Sequence, residues 1–122
     1  MANLVVKKSR LFDQTLAEKL NDRLASRLSD FINSKTNNPL QQFGSSDKPF
    51  TSRGIFANTI PNETLLHAHL THDVSIIYSL SGKDPKILKL YGLFTHDEMG
   101  TGQPANIKKQ KQTASRISNT GF

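Results

Sequence analysis

A chain of 122 residues with 35% hydrophobic content has room for one domain and a modest core. The absence of cysteine excludes disulfides and thiolate metal centres, and no apolar run approaches the roughly eighteen residues of a membrane span or the core of a signal peptide. A net charge of +6 favours a polyanion or an acidic protein as partner, in a protein expected to be cytoplasmic and off the membrane.

Residues 3–7 read as a short first strand. From Phe12 onward, Leu16, Leu20, Leu24, Leu28, Phe31 and Ile32 recur at helical period, and Asn37-Asn38-Pro39 stops the segment. With no Gly or Pro between residues 12 and 36, the pattern predicts one long helix, with a helical hairpin turning near Asn21-Asp22 as the alternative. Lys19, Arg23 and Arg27 form a basic row on its outer side, either a solvated face or a nucleic-acid contact. Residues 37–63 contain Pro39, Gly44, Pro49, Gly54 and Pro61, a long irregular connection of the kind that often carries function. Phe43, Phe50, Ile55 and Phe56 could pin it, and Lys48 and Arg53 sit inside it.

Three strands follow. Over residues 64–70, Leu66, Ala68 and Leu70 face one way and His67 and His69 the other. Residues 73–80 place Val74, Ile76, Tyr78 and Leu80 on one side; Ser81-Gly82-Lys83-Asp84-Pro85 has hairpin chemistry. Residues 86–94 are apolar on both faces, as a central strand would be. The tail beyond residue 104 carries Lys108, Lys109, Lys111 and Arg116 and no acid; it is either an amphipathic helix bearing Ile107, Ala114 and Ile117 or disordered. The fold class is therefore α+β: an N-terminal strand and a long helix (or helical hairpin) packed on an antiparallel sheet. Residues 1–104 form the domain and 105–122 its basic tail.

All four histidines lie between residues 67 and 96, where strands begin and end. If the hairpin turn is centred near Lys83-Asp84, Asp73 lies opposite Phe94, and His69, Asp73 and His96 converge at one end of the sheet. Such a trio suits RNA cleavage without a metal or other cofactor. A general base takes the proton of the ribose 2′-OH, a general acid protonates the departing 5′-oxygen, and cations stabilise the charge on phosphorus. His72, in the turn, reads as an ordinary surface residue. Two other readings stay open. His67 and His69 stand about 6.8 Å of rise apart on one strand face, a spacing that metal sites use, so with His96 or Asp73 they could ligate zinc or iron. Alternatively the basic surface grips nucleic acid or an acidic protein and the histidines are incidental.

At these residues the sequence resembles the YafQ branch of the RelE superfamily of toxin endoribonucleases. The resemblance runs through Ala68-His69-Leu70-Thr71-His72-Asp73-Val74-Ser75-Ile76-Ile77-Tyr78 and on through Ile87-Leu88-Lys89-Leu90-Tyr91-Gly92-Leu93-Phe94-Thr95-His96, with Ser46-Asp47-Lys48-Pro49-Phe50 ahead of them. It covers roughly residues 46–100. It implies a RelE-type fold, ribosome-dependent cleavage of mRNA, contact with ribosomal RNA, and control by an acidic antitoxin. His69, Asp73 and His96 match the family's catalytic His, Asp and His, with His96 as the acid or base at the scissile phosphate. Lys48 stands where the family has another His, which shifts that position toward charge stabilisation; Arg53 and His67 are the neighbouring candidates for RNA contact. The aromatic expected after the closing His falls near Met99-Gly100, and the basic tail runs past the family's usual end. Lys108, Lys109 and Lys111 are expected to contact ribosomal RNA or the antitoxin and to add little to folding.

Overall fold

The computed structural model describes residues 4–37, 48–49, 60, 65–82, 86–100 and 106–122. In chain order these form β1 (Leu4–Lys8), α1 (Arg10–Lys19), α2 (Asp22–Asn37), β2 (Lys48–Pro49), β3 (Leu66–His69), β4 (Val74–Ser81), β5 (Lys86–Thr95), α3 (His96–Met99) and α4 (Ile107–Asn119). The strands make one sheet in the order β1-β5-β4-β3-β2. The first strand runs parallel to β5, and every other pair is antiparallel. The α+β class stands, with β5 central as its two-sided hydrophobicity predicts. No helix among the described residues is long and apolar enough to cross a membrane.

Both faces of the sheet are covered. On one, Phe12, Leu24, Leu28 and Phe31 of α1 and α2 pack on Ala68, Ile76, Tyr78, Leu88, Leu90 and Leu93. On the other, Ala114 and Ile117 of α4, with Met99 and Leu11, pack on Ile77, Tyr91 and Phe94. Strict alternation could not send both Leu90 and Leu93 to the same face. A bulge resolves this: Ile77 pairs with Gly92 but Tyr78 pairs with Leu90, leaving Tyr91 as an extra residue on β5.

The bulge disturbs the β5 ladder, and two buried hydroxyls from the N-terminal segment bond to its backbone. Ser9 Oγ donates to the Tyr91 carbonyl at 2.8 Å while accepting from Phe12 N–H as the N-cap of α1. Thr15 Oγ1 accepts from Leu93 N–H at 2.9 Å and donates to the Leu11 carbonyl. Thr15→Val keeps the shape but leaves Leu93 N–H buried without its acceptor. The expected loss is about 1–3 kcal/mol, read by denaturant unfolding; an unchanged midpoint would show that this bond adds nothing.

Two expectations are corrected here. The helix is not continuous: Leu20 adopts an extended conformation after α1, and Asn21 Oδ1 accepts from Leu24 N–H at 2.8 Å, capping α2. The hairpin alternative is the one adopted, because an Asn followed by Asp22 is a better N-cap than a helix interior. The break also dissolves the basic row. Lys19 turns inward to pair with Glu98 at 2.8 Å, and Arg27 Nε donates to the Leu70 carbonyl at 2.7 Å. The tail, expected to add little to folding, is an ordered helix. Asn106 caps it, and Thr113, Ala114 and Ile117 are buried on the sheet, whereas Ile107 points outward. Gly100 makes the turn into it at φ 69°, where a Cβ would meet the Asn106 carbonyl at 2.3 Å.

Candidate active site

Alternation on β3 puts His67 and His69 on the α4 face of the sheet, and His96 arrives there as the first residue of α3. The imidazoles form a row: ring centroids of His67 and His69 are 6.0 Å apart and those of His69 and His96 5.1 Å, each pair edge to face. His69 stands on fixed ground. It pairs with Ser75 across the β3–β4 ladder, and the fully buried Ser75 hydroxyl lies 3.0 Å from its Nδ1.

His96 is held by its neighbours. Thr95 Oγ1 accepts from Glu98 N–H at 3.1 Å while the Glu98 carboxylate accepts from Thr95 N–H at 2.9 Å, a reciprocal cap that starts α3 immediately after the strand. Burial opposes ionisation of Glu98, yet the Lys19 ammonium and the Thr95 N–H hold its carboxyl below the usual range. Asp97 reaches out to Lys109, tying α3 to α4.

Burial, and then the neighbouring His96 imidazole, hold the pKa of His69 below the ordinary 6.5. The shift favours the neutral ring, the state a general base needs. The same shift links to stability. Below about pH 6.5 the unfolded chain takes up this proton before the folded chain does. Stability should therefore fall as the pH is lowered through 6.5, until the folded ring also protonates. Urea unfolding at stepped pH values should show that fall, and His69→Gln should flatten it; an equal slope in the variant would contradict the assignment.

The other expected site residues are placed less evenly. Asp73 lies exposed on the turn between β3 and β4, its N–H donating to Thr71 Oγ1 at 3.4 Å. The observed register, Val74 opposite Thr95, differs by two from the expected one, so that Asp73 and His96 are the next residues beyond the last pair. The Asp73 carboxylate is not among the causes that shift His69. Lys48 is paired by backbone register with His67. Arg53 lies outside the described residues, as do Phe43, Phe50, Ile55 and Phe56. His72 is exposed in the turn, and Lys108 and Lys111 are exposed on α4. Among the described residues no three of His, Cys, Asp and Glu are grouped closely enough to hold a metal ion together, the His67, His69 and His96 row included. Sequence reading missed Ser75, whose signal was its place opposite His69, and Lys19, whose pairing with Glu98 no local pattern reveals.

No family model matches the chain, and no curated protein matches it either. Among solved structures, a YoeB/ParE toxin from Agrobacterium tumefaciens aligns over 77% of this chain and 98% of its own at 18% identity, with a TM-score of 0.52. A copper-bound mutant toxin from Helicobacter pylori aligns over 81% and 99% at 19% identity, with a TM-score of 0.44. The chain has the fold of the Agrobacterium toxin.

Proposed function

We propose that this chain is the toxin of a toxin–antitoxin pair and cuts mRNA on the ribosome by metal-free general acid–base catalysis. The observation that carries the reading is the His69–His96 pair, two imidazoles 5.1 Å apart of which His69 is held toward its neutral form. In this scheme His69 removes the proton from a ribose 2′-OH. The oxygen attacks the adjacent phosphorus, the bond from phosphorus to the 5′-oxygen breaks, and His96 supplies the proton that the leaving oxygen needs. Asp73, on the turn next to His96 in register, orients the imidazoles, and Lys48, in register with His67, supplies the positive charge that stabilises the reacting phosphate. Arg53 and His67 contact the strand nearby, and Lys108, Lys109 and Lys111 face ribosomal RNA or the acidic antitoxin. The toxin fold and the net charge of +6 both support an acidic protein as the controlling partner.

The test is a purified translation system in which the protein is added to ribosomes stalled on a defined mRNA. Cleavage should leave a 2′,3′-cyclic phosphate on the upstream fragment and a 5′-hydroxyl on the downstream one, as attack by the 2′-OH requires, and should persist in chelator at magnesium levels that keep ribosomes intact. Intact mRNA, or RNA bound without being cut, would replace this reading with that of a binding module.

A further inference from the structure

We propose that the cleft between α1 and the last turns of α4 is a phosphodiester-binding subsite for the RNA strand, built on Arg10 and Arg116; this rests on the RNA-cleavage reading above. The cleft has a volume of about 180 Å³ and is lined by Arg10, Leu11, Gln14, Arg116, Asn119 and Thr120. Both arginines are exposed, and among the described residues no carboxylate lines the cleft. Two guanidiniums among neutral amides are an acceptor-seeking surface, and planar N–H forks match phosphate oxygens better than any other side chain does.

Arg116 has an aromatic partner and Arg10 an anchored backbone. The Arg116 guanidinium lies over the Phe94 ring at 5.7 Å from its centroid, a cation–π contact. Phe94 is fully buried, and its ring covers Gly92 so closely that a Cβ there would come within 2.6 Å of it. Arg10 opens α1, where its own N–H donates to the Gly121 carbonyl at 2.9 Å and Leu11 N–H to Thr120 Oγ1 at 2.9 Å.

The cleft also adjoins one that reaches α3, the helix that His96 begins. A second, adjoining cleft is lined by Glu98, Lys109, Gln112, Thr113 and Arg116, so Arg116 faces both. Glu98 is two residues past His96, and its charge is taken up by Lys19 and the cap of α3. From Lys109 to Arg116 is about 10 Å along the helix. Cationic and amide groups therefore run from the foot of α3 to the start of α1, on the sheet face that bears His69. A protein partner would want an apolar anchor. Leu11 is the one apolar side chain in these linings and is itself buried.

The experiment titrates a short, fluorescently labelled 2′-O-methyl RNA, which cannot be cut, at several salt concentrations. Arg10→Gln/Arg116→Gln should weaken binding by about tenfold or more. It should also lower the log–log salt slope by roughly 0.7 for each phosphate that is no longer neutralised. Arg23→Gln/Lys8→Gln, which removes the same charge elsewhere, should leave the slope nearly unchanged. Equal loss in both double variants, or none in the first, would overturn the subsite, as would binding of polyglutamate in place of RNA. Each single variant is melted and titrated alongside, so that one misfolded protein does not decide the matter. RNA binding that follows Arg10 and Arg116 in a protein that never cleaves mRNA would sink the nuclease reading and leave the subsite standing.

Discussion

Expression of this chain without a protective partner should arrest bacterial growth, and His96→Ala should lift the arrest. If the proposed chemistry holds, removing its positioned acid or base should cost about 10²–10⁴ in rate, enough to lift a growth arrest. His96 is only partly buried and starts a four-residue helix whose caps are Thr95 and Glu98, so its loss should leave the melting temperature almost unchanged. His69→Ala should cost as much activity. Asp73→Asn, with the carboxylate out on the turn, should cost less than either. Arrest undiminished by His96→Ala, at matched protein level, would remove the imidazole pair from the mechanism.

The second large effect is on stability. Ile117 is fully buried between α4 and the sheet, among Phe94, Tyr91 and Leu11. Truncating such a side chain to Ala costs about 2–5 kcal/mol through reduced burial and the cavity left behind. For a domain of this size that is a fall in melting temperature of roughly 10 °C or more. Lys108→Gln and Lys111→Gln on the outer side of the same helix should move it hardly at all. A melting temperature indifferent to Ile117→Ala would show that α4 is not seated on the sheet in solution.

Much of the site was legible because strands obey a period of two. The alternation that turned Leu66 and Ala68 inward sent His67 and His69 to one face, and hairpin logic brought His96 back to them. The register was off by two for two separate reasons. The turn after Ser81 pairs Ser81 with Ile87, one residue from the expected match, and the bulge at Tyr91 adds another. Bulges have no hydrophobic signature of their own, although the odd spacing of Leu90 and Leu93 was a trace of one. The break at Asn21 was readable as a cap but lost to the length of the apolar stripe. In α4 the spacing of Ile107, Ala114 and Ile117 allowed a helix as readily as disorder, and nothing in it could say which surface a helix would meet. Ser9, Thr15 and the Arg10–Arg116 cleft were invisible, since each depends on residues far apart in the chain that only the fold brings together.

The order of synthesis runs against the order of assembly in this molecule. The first strand pairs with β5, Ser9 donates to Leu90 and Tyr91, and the first N–H groups of α1 bond to Thr120 and Gly121. At about 5–20 residues per second, β1 and α1 wait for several seconds before their partners exist. Contacts this distant along the chain also slow folding itself. A chain interrupted before α4 therefore has the first two N–H groups of α1 without their acceptors and a bare sheet face, so abandoned translation products should be inert. Limited proteolysis of stalled nascent chains would check this: protection should appear only once residue 121 has left the ribosome, and earlier protection would disprove it.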